Sequence, residues 1–288
     1  VLIDGKGDIG NDSMLDILQK IKGERKLYVV NLSDTLSSCT YNPFKGANAT
    51  IAKDMLVSLT TWSEEHYKAN TERYIQRLAR VLIQSKIPLS FDSLIEHFSD
   101  ESLAALSKEL HINGVISKEE HAHTLEIIDA CYSIARDAAA RFATMQESEI
   151  GSLLTKDGID VYTSIEENAI LLFVLNPLIY PELTTLFGRL VLADCKKAVS
   201  KLFTDHKERV FFVFDEINTY VSYSLINLLN KSRSANVTCI CATQSLSALD
   251  TAGVDSFRKQ VIENCTNSIV PRQNEPANAE EWAKVFGT

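Results

Sequence analysis

Residues 209–244 read RVFFVFDEINTYVSYSLINLLNKSRSANVTCICATQ, and their pattern decides the fold class. The five apolar residues 210–214 make a run short enough for a buried strand and too short for a membrane span, and it stops at two adjacent carboxylates, Asp215 and Glu216. A second apolar run, 237–242, ends in Thr243 and Gln244, and between the two runs lies a helical pattern closing on Lys231 and Arg233. In an open α/β sheet, ligands sit beyond the carboxyl ends of the strands, where these polar residues fall. Phosphoryl transfer uses such a pair: one acid holds Mg²⁺, directly or through water, and the next orients or deprotonates an attacking water. A buried strand also ends in acids merely because it surfaces, so the signal is the constellation of Asp215, Glu216, Gln244 and Arg233 and not any one member.

Outward from this stretch the same texture continues. Residues 1–3, 26–32, 169–176 and 268–270 are further candidate strands, and helical patterns cover 13–21, 182–203 and 255–264. The alternation predicts an α/β fold with a mostly parallel, doubly wound sheet carrying helices on both faces. Between residues 46 and 152 the alternation vanishes and the pattern is helical throughout. Residues 51–61 are followed by 67–84, where Tyr74, Leu78, Val81 and Leu82 keep three-and-four spacing. Pro88 closes that helix, Asp92 and Asp100 are candidate helix caps, and S-K-E-E at Ser117 has the capping-box pattern that opens a long helix towards Met145. An all-helical insertion of this size reads as a domain of its own, giving 1–45 and 153–288 as one domain and 46–152 as an all-α second.

With these residues in place the chain resembles the TraD/TraG-type coupling ATPases of bacterial conjugation and type IV secretion. The resemblance rests on VLIDGKGD at the start, YNPF at 41–44, the segment AILLFVLNPLIYPELTTLFGRLVLAD, FFVFDE, the helix ending at Arg233, and ATQS. The family's opening motif usually reads Asp, Pro, Lys, Gly, acid, and here its second residue is Gly5. The resemblance implies a RecA-like sheet in a homo-hexameric ATPase that uses ATP and Mg²⁺. It implies that Asp215 and Glu216 are the Walker B acids, that Gln244 senses the γ-phosphate, and that Arg233 reaches a neighbouring subunit's nucleotide. Asp4 and Lys6 would lie at the cofactor edge, in a strand that in the family sits beside the phosphate-loop strand. It further implies DNA as a partner, single-stranded in preference to duplex, a relaxase or relaxosome protein received by the all-α domain, and the type IV secretion channel. The expected location is the cytoplasmic face of the bacterial inner membrane. Alternatives are a double-stranded DNA pump of the same motor superfamily or, for this chain alone, a non-catalytic recruitment module.

The turn DGKGD also admits a reading from the residues themselves. Its amides would face the phosphate edge of the sheet, or it is a simple turn with a charged rim. The sequence contains no G-x-x-x-x-G-K-[ST] and no initiator Met, from which a fragment lacking the phosphate loop and a membrane anchor, inactive as an ATPase by itself, is expected. No apolar run approaches the roughly 20 residues of a transmembrane helix. The six cysteines show no C-x-x-C spacing, which suggests neither a zinc site nor a disulfide framework. His121 and His123, two apart, face different sides of a helix and make a poor metal pair. The net charge of −9 argues against bulk nucleic-acid binding while leaving room for a few channel loops, for which Lys231, Arg258, Lys259 and Arg272 are available.

Overall fold

The structure, a computed structural model, describes residues 1–203, 208–250 and 256–287. Its centre is one sheet of five parallel strands, β1 (Leu2–Asp4), β2 (Leu27–Asn31), β3 (Ile170–Val174), β4 (Val210–Phe214) and β5 (Val237–Cys241), in the order β2-β3-β1-β4-β5. β3 reads ILLFV and is buried at every position, the unbroken apolar run of a parallel strand covered on both faces. On one face α1 (Met14–Ile21) lays Leu18 against Ile170, Leu172 and Val174. On the other, Ile3, Phe173, Phe212 and Phe214 join the main core with α8 (Pro181–Leu202) and α9 (Tyr223–Lys231). Over β4 and β5 the face shared with α1 carries Phe211 and Ile240, each about half exposed.

Both neighbours of β1 are strands of this chain, β3 and β4. The expectation that the opening strand lies beside a phosphate-loop strand is therefore not met; the free edges of the sheet are β2 and β5. Residues 268–270, expected as a strand, are irregular, and Ile269 is 96% exposed. A short apolar stretch becomes a strand only where a sheet edge receives its backbone hydrogen bonds, and here none does. The helix expected from 255 is α10 (Phe257–Asn264), and Asp255 lies outside the described residues. A final helix, α11, spans Pro276–Phe286.

The helical insertion leaves the sheet after β2 and returns before β3 through α7 (Val161–Glu166). It contains α2 (Ala49–Val57), α3 (Glu65–Gln84), α4 (Phe91–Glu96), α5 (Asp100–Ile112) and α6 (Lys118–Gln146). Tyr74, Leu78, Val81 and Leu82 line the buried face of α3 as their spacing required, and that face continues without a break into the core beneath the sheet. Ser90 and Ser99, and not Asp92 and Asp100, cap α4 and α5, because the aspartates fall inside the first turn. There their charge still complements the helix dipole. Ser117 caps α6 by accepting from the Glu120 amide. The Glu120 carboxylate instead accepts from Gln84 at 3.0 Å and Arg77 at 3.5 Å on α3, so the cap forms without the reciprocal half of the box.

Candidate functional site

β4 and β5 pair in register from Val210↔Val237 to Phe214↔Cys241, so the residues just after them emerge side by side at the carboxyl edge of the sheet. The ladder runs on past the strands: the Ala242 amide donates to the Phe214 carbonyl at 2.8 Å and the Ile217 amide to the Ala242 carbonyl at 3.1 Å. Gln244 Nε2 then donates to Glu216 Oε2 at 2.9 Å. Glu216 is 8% exposed and sits at φ 52°, ψ 53°, the left-handed region that a side-chain-bearing residue enters only at a cost in strain. Strain at a buried acid is a mark of functional geometry when its surroundings fix it so firmly.

Asp215 is anchored by its backbone and left open at its side chain. Its amide donates to the Ile3 carbonyl at 2.9 Å, and its carbonyl accepts from the Tyr220 hydroxyl at 2.7 Å. Its carboxylate has Lys6 Nζ at 3.9 Å, a loose ion pair between partly exposed groups. Gly5 brings the β1 turn against this one: a Cβ at position 5 would lie 2.6 Å from the Asp215 carbonyl oxygen and 2.9 Å from Glu216 Cβ. The Gly5 departure from the usual motif is thus a requirement of close packing in this chain.

Asp4 is buried, and its Oδ1 accepts from the amides of Lys6 at 2.9 Å and Gly7 at 3.1 Å. Of the two readings the turn admitted, the structure favours the simple turn with a charged rim: these amides are consumed within it, because an aspartate at this position captures the N–H groups two and three residues on. Burial raises the Asp4 carboxyl above its ordinary range; the two amide bonds oppose this and the charges of Asp215 and Asp8 add to it.

The sheet therefore gathers Asp215, Glu216, Gln244, Asp4 and Lys6 at one edge. It does not bring Arg233 there. Arg233 is exposed in the turn 232–235 that precedes β5, at the opposite edge of the sheet, about 16 Å away for five residues at roughly 3.3 Å each. Tyr220, which fixes the turn after Glu216, was not singled out from sequence; its only signal was an aromatic residue five positions beyond Asp215.

Comparison with known proteins supplies the context. A family profile described as the TraM recognition site of TraD and TraG matches residues 209–288, which include β4, β5 and the acid pair. Residues 209–288 thus match the TraD/TraG family of coupling proteins. The α/β fold agrees with that of the plasmid coupling protein TrwB, solved in complex with a non-hydrolysable ATP analogue: TM-score 0.59, 15% identity, covering 91% of this chain and 61% of that one. The chain thus spans about three fifths of the length of that TrwB chain. VirB4 of Thermoanaerobacter pseudethanolicus matches with a TM-score of 0.57 at 12% identity, over 100% of this chain and 73% of that one. At such identities the likeness is one of fold. A protein of Mycoplasma pneumoniae with no described function is 30% identical over 100 residues, 35% of this chain and 67% of that protein.

The residues of this edge suit Mg²⁺. It is a hard cation that binds through one or two carboxylates, with water and phosphate completing its shell, and the partly exposed, loosely paired Asp215 meets that need. They suit the phosphates of a nucleotide less well, since the Lys6 and Gly7 amides are already engaged by Asp4.

Proposed function

We propose that this chain is the cytoplasmic part of a conjugative coupling protein, an ATP-driven hexameric motor linking a relaxase–DNA substrate to a type IV secretion channel at the inner membrane. The observation that carries this reading is the hydrogen bond from Gln244 to the strained, buried Glu216, with Asp215 beside it at the carboxyl edge of the sheet. Asp215 would hold Mg²⁺, which when bound neutralises negative charge on the phosphates. Glu216, oriented by Gln244, positions and deprotonates the attacking water. Gln244, bonded to Glu216, would sense the γ-phosphate and report that group's presence to the turn after β4. Lys6 and Asp4 shape the rim of the site.

Arg233 acts on a neighbouring copy. Its place at the opposite edge keeps it from its own acids and suits a head-to-tail contact, in which one subunit's amino edge faces the next subunit's carboxyl edge and the series closes into a ring. TrwB has also been solved with ADP and Mg²⁺, which supports nucleotide and metal as the ligands of this edge. A relaxosome protein as partner is supported by the family description over 209–288, and the all-α region 46–152 is the proposed receiver of the relaxase by its position. DNA, preferably single-stranded, would be held by a few loops. Arg258 is already paired with Asp250 at 3.0 Å and Glu281 at 3.3 Å, and Lys259 with Glu263 at 3.7 Å, which leaves Lys231 and Arg272 as the better candidates. Among the described residues no helix is long and apolar enough to cross a membrane.

The engaged Lys6 and Gly7 amides favour a second reading for these 288 residues alone: a recruitment module that does not hydrolyse ATP. Calorimetric titration with Mg-ATP separates the two. The expected result is no saturable affinity tighter than about 1 mM, around −4 kcal/mol. Micromolar binding would overturn the recruitment reading and place a phosphate cradle elsewhere in the chain. The hydrolytic reading is tested by Glu216→Gln in a protein where this site is joined to a phosphate loop. Unaltered turnover there would remove Glu216 from the chemistry.

A further inference from the structure

We infer that α8 mechanically links the Asp215–Glu216 turn to the all-α region, and that Arg189 is the positioning residue joining the two. The inference rests on the proposed hydrolytic reading of that turn for its functional meaning. Its geometry is independent of that reading.

α8 grips the segment that follows Glu216 along more than one helical turn. The Thr185 hydroxyl donates to the Thr219 carbonyl at 3.0 Å. Gly188 lies flat against Tyr220: a Cβ there would fall 2.6 Å from the tyrosine Cβ, and the hydroxyl of the same tyrosine holds the Asp215 carbonyl. Arg189 Nε donates to the Val221 carbonyl at 3.0 Å. The same guanidinium turns its other side to the helical region, where Nη1 donates to the Leu59 carbonyl at 3.2 Å. Leu59 follows the carboxyl end of α2, whose unpaired carbonyls attract a cation.

Arg189 is partly desolvated, which lowers its pKa, and no carboxylate pairs with it among the described residues. A cation withdrawn from water without an anion must recover its solvation from hydrogen bonds, and two carbonyls from different parts of the fold supply them. The rigid fork of a guanidinium reaches both at once; an ammonium is a single point. Movement of the Leu59 turn therefore reaches Val221 through one side chain, and from Val221 the turn leads back within a few residues to Glu216. The residues next along, 60–63, wall a cavity of about 200 Å³ with Tyr67, Asp137 and Arg141, so an occupant of that cavity would press on the same turn.

The test perturbs one end and reads the other. Trp62→Ala loosens the Leu59 turn by removing the indole that donates to the Val57 carbonyl, and it leaves α8 untouched. Amide hydrogen exchange is then followed in the 288-residue chain at Ile217 and Thr219, with Val30 in β2 as an internal control. With Arg189 present, Trp62→Ala should speed exchange at Ile217 and Thr219 about tenfold and leave Val30 unchanged. In Arg189→Met the same perturbation should change those amides by less than about twofold. Arg189→Lys, which keeps the charge, decides the matter if Arg189→Met lowers the urea midpoint, because it too should fail to transmit.

A response at Ile217 and Thr219 of the same size with and without Arg189, or no response in the native background, overturns the linkage. No nucleotide enters this measurement. Intact transmission together with normal hydrolysis in Glu216→Gln would keep the linkage and discard the hydrolytic reading.

Discussion

Two clusters in this molecule set aspartates around a lysine, and they are built in opposite ways. At the junction of sheet and helical region, Lys197 pairs with Asp194 at 2.9 Å and Asp160 at 3.3 Å, and all three side chains are at most 2% exposed. Further bonds tie the cluster in: Lys197 donates to the carbonyls of Pro43 and Lys45, and Asp194 Oδ2 accepts from the Tyr41 hydroxyl at 2.8 Å and the Val161 amide at 3.0 Å, while Asp194 Oδ1 has the Lys197 charge beside it but no hydrogen bond of its own. This knot clamps the segment that leaves for the helical region and the one that returns. At the sheet edge, Lys6 and Asp215 stand 3.9 Å apart with 54% and 23% of their side chains exposed, beside a glutamate held in a strained backbone conformation. A sealed cluster, its charges paired away from water, fixes structure; an open one, loosely paired, has valence left for a ligand.

Breaking each cluster should therefore produce a different kind of loss. The largest effect is expected from outside both. Arg233→Ala should remove the assembly-dependent acceleration of hydrolysis, on the order of 10³–10⁵ for an arginine acting across an interface, while sparing the nucleotide affinity of a single subunit. Mixing Arg233→Ala subunits with Glu216→Gln subunits should restore activity at the interfaces that carry both native groups; a mixture that stays dead sinks the trans assignment. Next comes the open cluster itself. Glu216→Gln, joined to a phosphate loop, should slow hydrolysis by about 10²–10⁴ and leave nucleotide binding and the urea midpoint where they were.

The sealed cluster should respond in stability alone. Lys197→Met leaves two carboxylates buried without their cation and should cost about 3–5 kcal/mol in urea unfolding. A loss below about 1 kcal/mol would mean the knot is wetter and weaker than its burial implies.

The same contrast explains what the sequence could reveal. β4 and β5 were legible because buried parallel strands are unbroken apolar runs, and each ends in polar residues, so Glu216 and Gln244 share an edge on the condition that the strands are neighbours, which the sheet meets. The amphipathic face of α3 was legible for the same reason of periodicity. Contacts across the fold were not. Nothing in the string DGKGD says that Asp4 will capture the Lys6 and Gly7 amides, or that Gly5 will abut Asp215. Residues 268–270 resembled a strand because composition carries no record of whether a sheet edge is available. Arg189 and the Lys197 knot escaped notice because single charged residues within a helical pattern read as solvated faces. Only the packing of α8 shows that they are not.

The smallest predicted effect tests the boundary between the two kinds of cluster, at Asp4. Burial holds its carboxyl above the ordinary carboxylate range, so the folded chain binds this proton more readily than the unfolded one. The associated stability is complete below the unfolded pKa, near 3.9, and is lost as pH rises through the higher folded value. Asp4→Asn keeps an oxygen to accept the Lys6 and Gly7 amides and removes a charge that Asp215 and Asp8 disfavour. Urea midpoints should therefore show Asp4→Asn equal to or slightly above the native chain at about pH 7, with the advantage shrinking as the pH falls through the raised folded pKa and the native carboxyl takes up its proton. Asp194→Asn should do the reverse at neutral pH, because Lys197 would lose the nearer of its two buried partners. If Asp4→Asn is instead destabilised at pH 7 and matches the native chain at pH 4, the Asp4 charge is being used by Lys6, and the edge site is more nearly saturated than its distances imply.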